Sequence, residues 1–158
     1  MIKNNQVVRF MIAGESFGVD IGRIQEIVTV PEITRVPDTP DFLEGIINLR
    51  GKIISVMDLR KKLRLDGAAR SKKNRILVTE MNGKVVGLIV DEVSEVLRIS
   101  PDRVEPPPDM VSSVGAEYIT GVGKLEERII LLLDLGKVLD AGEISSMQSA
   151  PETQGSRI

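Results

Sequence analysis

Cysteine, histidine and tryptophan are missing from this chain, and its aromatic side chains are limited to three Phe and one Tyr. Without Cys there is no disulfide framework, no thiolate metal site and no cysteine nucleophile. Without His there is no imidazole general base and no imidazole metal ligand. A strong charge of either sign is missing too: the net charge is −2, so no global field draws the chain to nucleic acid or an acidic membrane. Long apolar runs are lacking; the longest, Ile129 to Leu133, falls far below the roughly 18 residues of a membrane span. Met1 to Glu15 has Lys3, then polar Asn4, Asn5 and Gln6, and no sustained apolar segment of a secretory signal. The expectation is a soluble, cytoplasmic chain. At 158 residues it forms one domain or two very small ones, with a core that is aliphatic because 42% of residues are hydrophobic and 3% aromatic.

What is present is organised around Gly45 to Arg60. The β-branched pairs Ile46–Ile47 and Ile53–Ile54 flank a polar corner at Asn48 to Lys52, which reads as a hairpin. Gly51 suits the left-handed end of a three-residue loop, which places Arg50 at the tip. A guanidinium there is either a solvated loop charge or a forked contact for a partner carboxylate. The stretch has a second copy in Gly121 to Leu139. Leu49 matches Leu125, Ile53–Ile54 match Ile129–Ile130, Asp58–Leu59 match Asp134–Leu135, and Lys61 and Leu63 match Lys137 and Leu139. The tip does not match, with Arg50–Gly51 becoming Glu126–Glu127. Repeated positions read as scaffold and differing ones as specificity.

Upstream, Val7 to Ala13, the turn Gly14-Glu15-Ser16 and Phe17 to Ile21 predict an N-terminal hairpin. Ile21, Ile24, Ile27 and Val28 have the spacing of one or two turns of amphipathic helix. Pro31 ends that element, and Thr34 to Asp41, with Pro37 and Pro40, predicts an extended surface loop. Asp58 and Asp134, each before an apolar run, read as helix caps rather than catalytic acids. Asp58 to Leu65 predicts a short helix with a basic face, and Asp66 to Ala69 a break. Ile76 to Thr79 and Val85 to Val90 predict strands around an Asn82-Gly83 turn.

The repeat extends through these elements. Phe17 to Ile21 parallels Val86 to Val90, Ile24 to Ile27 parallels Val93 to Val96, and Arg35–Val36 parallels Arg103–Val104. Pro40-Asp41-Phe42 parallels Pro108-Asp109-Met110, after which the second copy inserts Val111 to Ile119. Two copies of about 60 residues are too few for a solenoid and suit two small β-barrels packed face to face.

The ordered set Phe17-Gly-Val-Asp-Ile21, Ile24-Gln-Glu-Ile27, Thr34-Arg35 with Pro40-x-Phe42, Gly45-x-x-Asn48-Leu-Arg50-Gly51, Val86-Gly87 with Val90-Asp91, and Glu117-Tyr118-x-Thr120-Gly121 resembles the CheW family of bacterial chemotaxis coupling proteins. The resemblance covers roughly Val7 to Leu139. It implies a mainly β fold of two five-stranded SH3-like barrel subdomains around a shared aliphatic core, with short helices. The CheW-like domain is expected over 7–141: subdomain 1 over about 7–65, with 128–141 as a candidate addition, and subdomain 2 over about 72–127. A disordered tail is expected over 143–158. The resemblance also implies a non-enzymatic adaptor without cofactor or metal. Such an adaptor is cytoplasmic, is recruited to membrane-associated arrays, and bridges the cytoplasmic tip of chemoreceptors to the regulatory domain of the histidine kinase CheA.

Carried over by position, the implied receptor-facing residues are Ile24, Glu26, Arg50 and Ile76. The implied kinase or ring contact is the loop Val104 to Met110, with Glu105, Asp109 and Met110. Glu105 stands where a relative has Arg and Met110 where it has Phe, so pairing with a foreign kinase is expected to be weak. Ser55 replaces a Pro common in the central hairpin, a change expected to be tolerated at a strand edge. Two other readings stay open. The same scaffold can serve a chemosensory pathway controlling surface motility or cyclic-dinucleotide output. Alternatively, the basic run Arg60, Lys61, Lys62, Arg64, Arg70, Lys72, Lys73 and Arg75 can bind nucleic acid, although it lacks interleaved aromatics and reads better as a solvated connection between subdomains.

Overall fold

Alternating and β-branched residues at the N-terminus form β1 (Gln6–Ile12) and β2 (Glu15–Asp20), the expected hairpin. The computed structural model describes residues 5–63, 65, 70–81, 83–107 and 118–138. After a 3-10 turn at Ile21–Arg23 come β3 (Ile24–Thr29), β4 (Leu43–Leu49), β5 (Lys52–Asp58) and the one-turn α1 (Leu59–Lys62). Next are β6 (Arg75–Met81), β7 (Lys84–Val90) and β8 (Glu92–Arg98). The short β9 (Val104–Glu105), then β10 (Ile119–Leu125), β11 (Arg128–Leu133) and α2 (Leu135–Val138) complete the described chain. The fold is therefore mainly β, in two sheets of order β8-β1-β2-β11-β10-β9 and β3-β6-β7-β5-β4. This agrees with a pair of small SH3-like barrels, and each sheet takes strands from both sides of the 65–72 connection.

The repeat governs the pairing in detail. Val7 opposes Leu97 as Ile76 opposes Val28, and Leu132 lies beside Gly18 as Val56 lies beside Gly87. Even the irregularities recur: register shifts fall at Ile24/Glu26 and Arg9/Phe10, and again at Leu43/Gly45 and Ile119/Gly121. The copies thus exchange hairpins, the first two strands of each joining the sheet built from the last strands of the other.

The predicted helix over Ile21–Val28 is a correction. Only Ile21–Arg23 is helical, and the rest is β3. The bulge at Gln25 is the reason. Ile24 opposes Thr79 and Ile27 opposes Leu77, so the extra residue puts both isoleucines on one face, three positions apart. A bulged strand thereby imitates helical spacing.

Both faces of β6 and β7 are covered, so these strands read as nearly continuous apolar runs. One face meets the other sheet in a shared core of Val8, Phe10, Met57, Leu77, Leu88 and Leu133, with Phe10 stacked on Phe17 at 6.0 Å. The opposite faces fill the barrels: Ile47, Ile54, Val56, Ile76, Val78 and Ile89 in one, Val7, Ile99, Ile130 and Leu132 in the other. Ser55 is also a correction: it is fully buried on β5, an interior strand, rather than at an edge.

Asp58 and Asp134 act as caps. Their Oδ1 atoms accept from the backbone N–H of Arg60 at 2.9 Å and of Gly136 at 2.9 Å. Asp58→Ala is expected to cost about 1 kcal/mol, the usual loss for a helix cap. Urea unfolding checks this, and a change below a few tenths would show that the cap is dispensable. The expected tail over 143–158, the Asp66–Ala69 break and Asn82 lie outside the described residues.

Candidate functional site

The β4–β5 hairpin closes through a two-residue turn, because Leu49 pairs with Lys52. The expected three-residue loop is thus one residue shorter. Both turn residues have positive φ, Arg50 at 51° and Gly51 at 88°, and Asn48 Oδ1 accepts the Gly51 N–H at 2.8 Å. A two-residue turn needs this twist to match its strands. Arg50 holds a conformation that Asn or Gly adopts more cheaply, and its side chain is 67% exposed. Its Nη2 donates to Glu26 Oε2 on β3, an edge strand of the same sheet.

The second barrel places different chemistry at the corresponding positions. Glu95 on β8 occupies the position of Glu26 and takes Arg9 at 3.0 Å and Arg128 at 3.7 Å. The tip residue Glu126, at φ 47°, replaces Arg50 and carries the opposite charge.

The implied site residues separate accordingly. Glu26 and Arg50 are in contact, and half-buried Ile24 begins the same strand while packing on the shared core. Ile76 is a correction: it is fully buried inside the barrel, so it offers no surface to a partner. Glu105 is exposed on β9, part of the other sheet, and pairs with Lys124 at 2.6 Å. That in-chain cation compensates its acidic charge locally. Asp109 and Met110 lie outside the described residues.

The basic run is also corrected, since much of it is engaged rather than solvated. Lys61 Nζ lies 2.8 Å from Glu44, and Arg70 lies 2.7 Å from Glu44 and 3.6 Å from Asp58. Arg60 pairs with Asp91 at 2.6 Å, Lys62 sits over the Phe42 ring at 4.6 Å, and Arg75 donates to the Lys72 and Asn74 carbonyls. Sequence reading missed Glu44, whose signal was an acid near the start of the mostly apolar strand Leu43 to Leu49.

Burial pushes the Glu44 carboxyl upward, but the hydrogen bonds and positive charges of Lys61 and Arg70 outweigh it and hold the pKa below 4.5. The folded pKa is thus the depressed one. The resulting stability is present above about 4.5 and is lost as pH falls through the folded value. Glu44→Gln is expected to flatten the acid limb of a stability–pH curve below that point. Parallel limbs for the two proteins would place the acid sensitivity elsewhere.

Among the described residues no group of three or more Asp and Glu could hold a metal, and no helix is long and apolar enough to cross a membrane. The two sheets thus carry different exposed ion pairs, Arg50–Glu26 on one and Lys124–Glu105 on the other.

The CheW-like domain model matches residues 6–143. The chain belongs to the CheW-like domain family. A chemotaxis protein CheW from Klebsiella aerogenes is 35% identical over 144 residues, covering 91% of this chain and 87% of the relative. One from Thermotoga maritima is 32% identical over 139 residues, covering 88% and 90%. Among solved structures, the scaffolding protein TtCheW from Thermoanaerobacter tengcongensis matches with a TM-score of 0.81 at 38% identity, covering 89% of this chain and 96% of that one. The CheW-like domain thus accounts for both barrels.

Proposed function

We infer that this protein is a non-enzymatic adaptor that couples chemoreceptors to the histidine kinase CheA in cytoplasmic signalling arrays at the membrane. The observation that carries this reading is Arg50. It is held at a left-handed turn, is oriented by Glu26 and remains mostly exposed. A guanidinium kept in that posture suits a carboxylate or amide on a receptor helix. Ile24 and Glu26 border it on β3, and we assign this edge to the receptor tip. Glu105, on the other sheet, belongs to the face assigned to the regulatory domain of the kinase, and Lys124 beside it adds a cation. Placing the contacts on different sheets lets one small protein hold two partners at once. Single contacts of this kind are weak, and the array supplies avidity.

The test is a titration against the regulatory domain of the kinase from the same genome, with and without a soluble receptor tip. Saturable binding to each and a ternary complex are expected. Binding to neither would remove the adaptor assignment.

A further inference from the structure

The Val90-Asp91 pair belongs to the motif set, yet the contact surfaces do not use it. Among the described residues the chain passes from one sheet to the other at two places, the turn Ile21–Arg23 between β2 and β3, and Asp91 between β7 and β8. The first crossing takes three residues and the second takes one.

Asp91 is bonded to both sides of that joint. Its N–H donates to Met11 O at 3.0 Å, and its Oδ2 accepts the Ala13 N–H at 2.8 Å, both from the β1–β2 hairpin. The same Oδ2 takes Arg60 Nη2 at 2.6 Å from α1, and its carbonyl accepts Asn74 Nδ2 at 3.0 Å, both flanking the other sheet. At the equivalent point of the first crossing stands Gly22, which has no side chain to do this. There Asp20 caps the turn, and Thr79 Oγ1 donates to Arg23 O.

We propose that Asp91 is a positioning residue: it pins the two barrels at a fixed relative orientation and so sets the geometry between the Glu26–Arg50 edge and the β9 face. A hinge is a few residues at element ends, and this one is locked by a charge-assisted bond from one sheet and a backbone bond from the other. The consequence for coupling rests on the adaptor reading. The pin itself does not.

The absence of Cys allows spin labels to be attached at Lys52→Cys, on β5, and Glu127→Cys, in the β10–β11 turn of the other sheet, both exposed. A narrow distance distribution is expected in the parent protein. It should widen about twofold in Asp91→Ala, with Asp91→Asn intermediate because it keeps an acceptor for Ala13 but loses the ion pair. Receptor tip and kinase domain should each still bind Asp91→Ala, while the ternary complex weakens about tenfold. An unchanged, narrow distribution in folded Asp91→Ala would overturn the proposal, even if stability fell. Should that variant fail to fold, unchanged distributions in both Asp91→Asn and Arg60→Met would overturn it equally. A widened distribution with an intact ternary complex would overturn the link to coupling. If the parent protein binds neither partner, the adaptor reading falls, and the distance measurement still decides the pin.

Discussion

Gly45→Ala is expected to destabilise the protein by about 3–5 kcal/mol, lowering the melting temperature by roughly 10 °C or more. Gly45 has φ +148°, a conformation L side chains rarely adopt, and its Cβ would stand 2.2 Å from Thr34 O. That oxygen belongs to backbone and is already committed: it accepts the Ile46 N–H at 2.8 Å, while Thr34 N donates back to Ile46 O at 2.9 Å. Relief therefore means breaking a two-bond bridge that ties the Pro-rich loop to β4. Gly51→Ala is the control. Gly51 also has positive φ, +88°, but nothing lies within 4 Å of its Cβ, so only the conformational cost of about 1–2 kcal/mol applies. Calorimetry on the two variants checks the difference. Equal losses would mean that backbone conformation, and not the clash with Thr34, governs Gly45.

Arg50→Glu is expected to leave the fold intact and to weaken receptor binding at least about tenfold, since like charges at a contact oppose association. The substitution also sets Glu against Glu26, so a lost intramolecular pair must be separated from a lost partner contact. Glu26→Arg combined with Arg50→Glu does this. The swap rebuilds the ion pair while leaving the partner-facing charge inverted. If Arg50 meets the receptor, binding stays weak in the swapped protein; recovery there would make the intramolecular pair the important interaction. Arg50→Asn adds a second axis. Asn tolerates φ of 51° better than Arg, so stability should rise by a few tenths of a kcal/mol while receptor binding falls. Opposite movement of stability and affinity is the mark of a residue kept for contact at a conformational cost.

How far the sequence could be read depended on whether a residue's environment was local. The hairpins at β1–β2, β4–β5 and β6–β7 were legible because turn residues and β-branched runs lie together in the chain. The caps Asp58 and Asp134 were legible because a cap contacts a backbone N–H two residues away. Ile24–Val28 was misread because a bulge reproduces helical spacing, and the bulge is visible only in its pairing with β6. Ile76 was misplaced because motif position names a strand without saying which face turns inward.

By itself the sequence determined the class of molecule: two diverged copies of a small β unit, an aliphatic core, no cysteine or histidine chemistry, and a hairpin tip whose charge differs between copies. Only the tertiary structure decided that the copies exchange hairpins across two sheets, that Arg50 meets Glu26, and that Lys61 and Arg70 converge on Glu44. The physical reason is separation along the chain. Periodicity and turn chemistry act over a few residues, whereas an ion pair between positions 26 and 50, or a joint made by residues 11, 13, 60, 74 and 91, exists only once the sheets have packed.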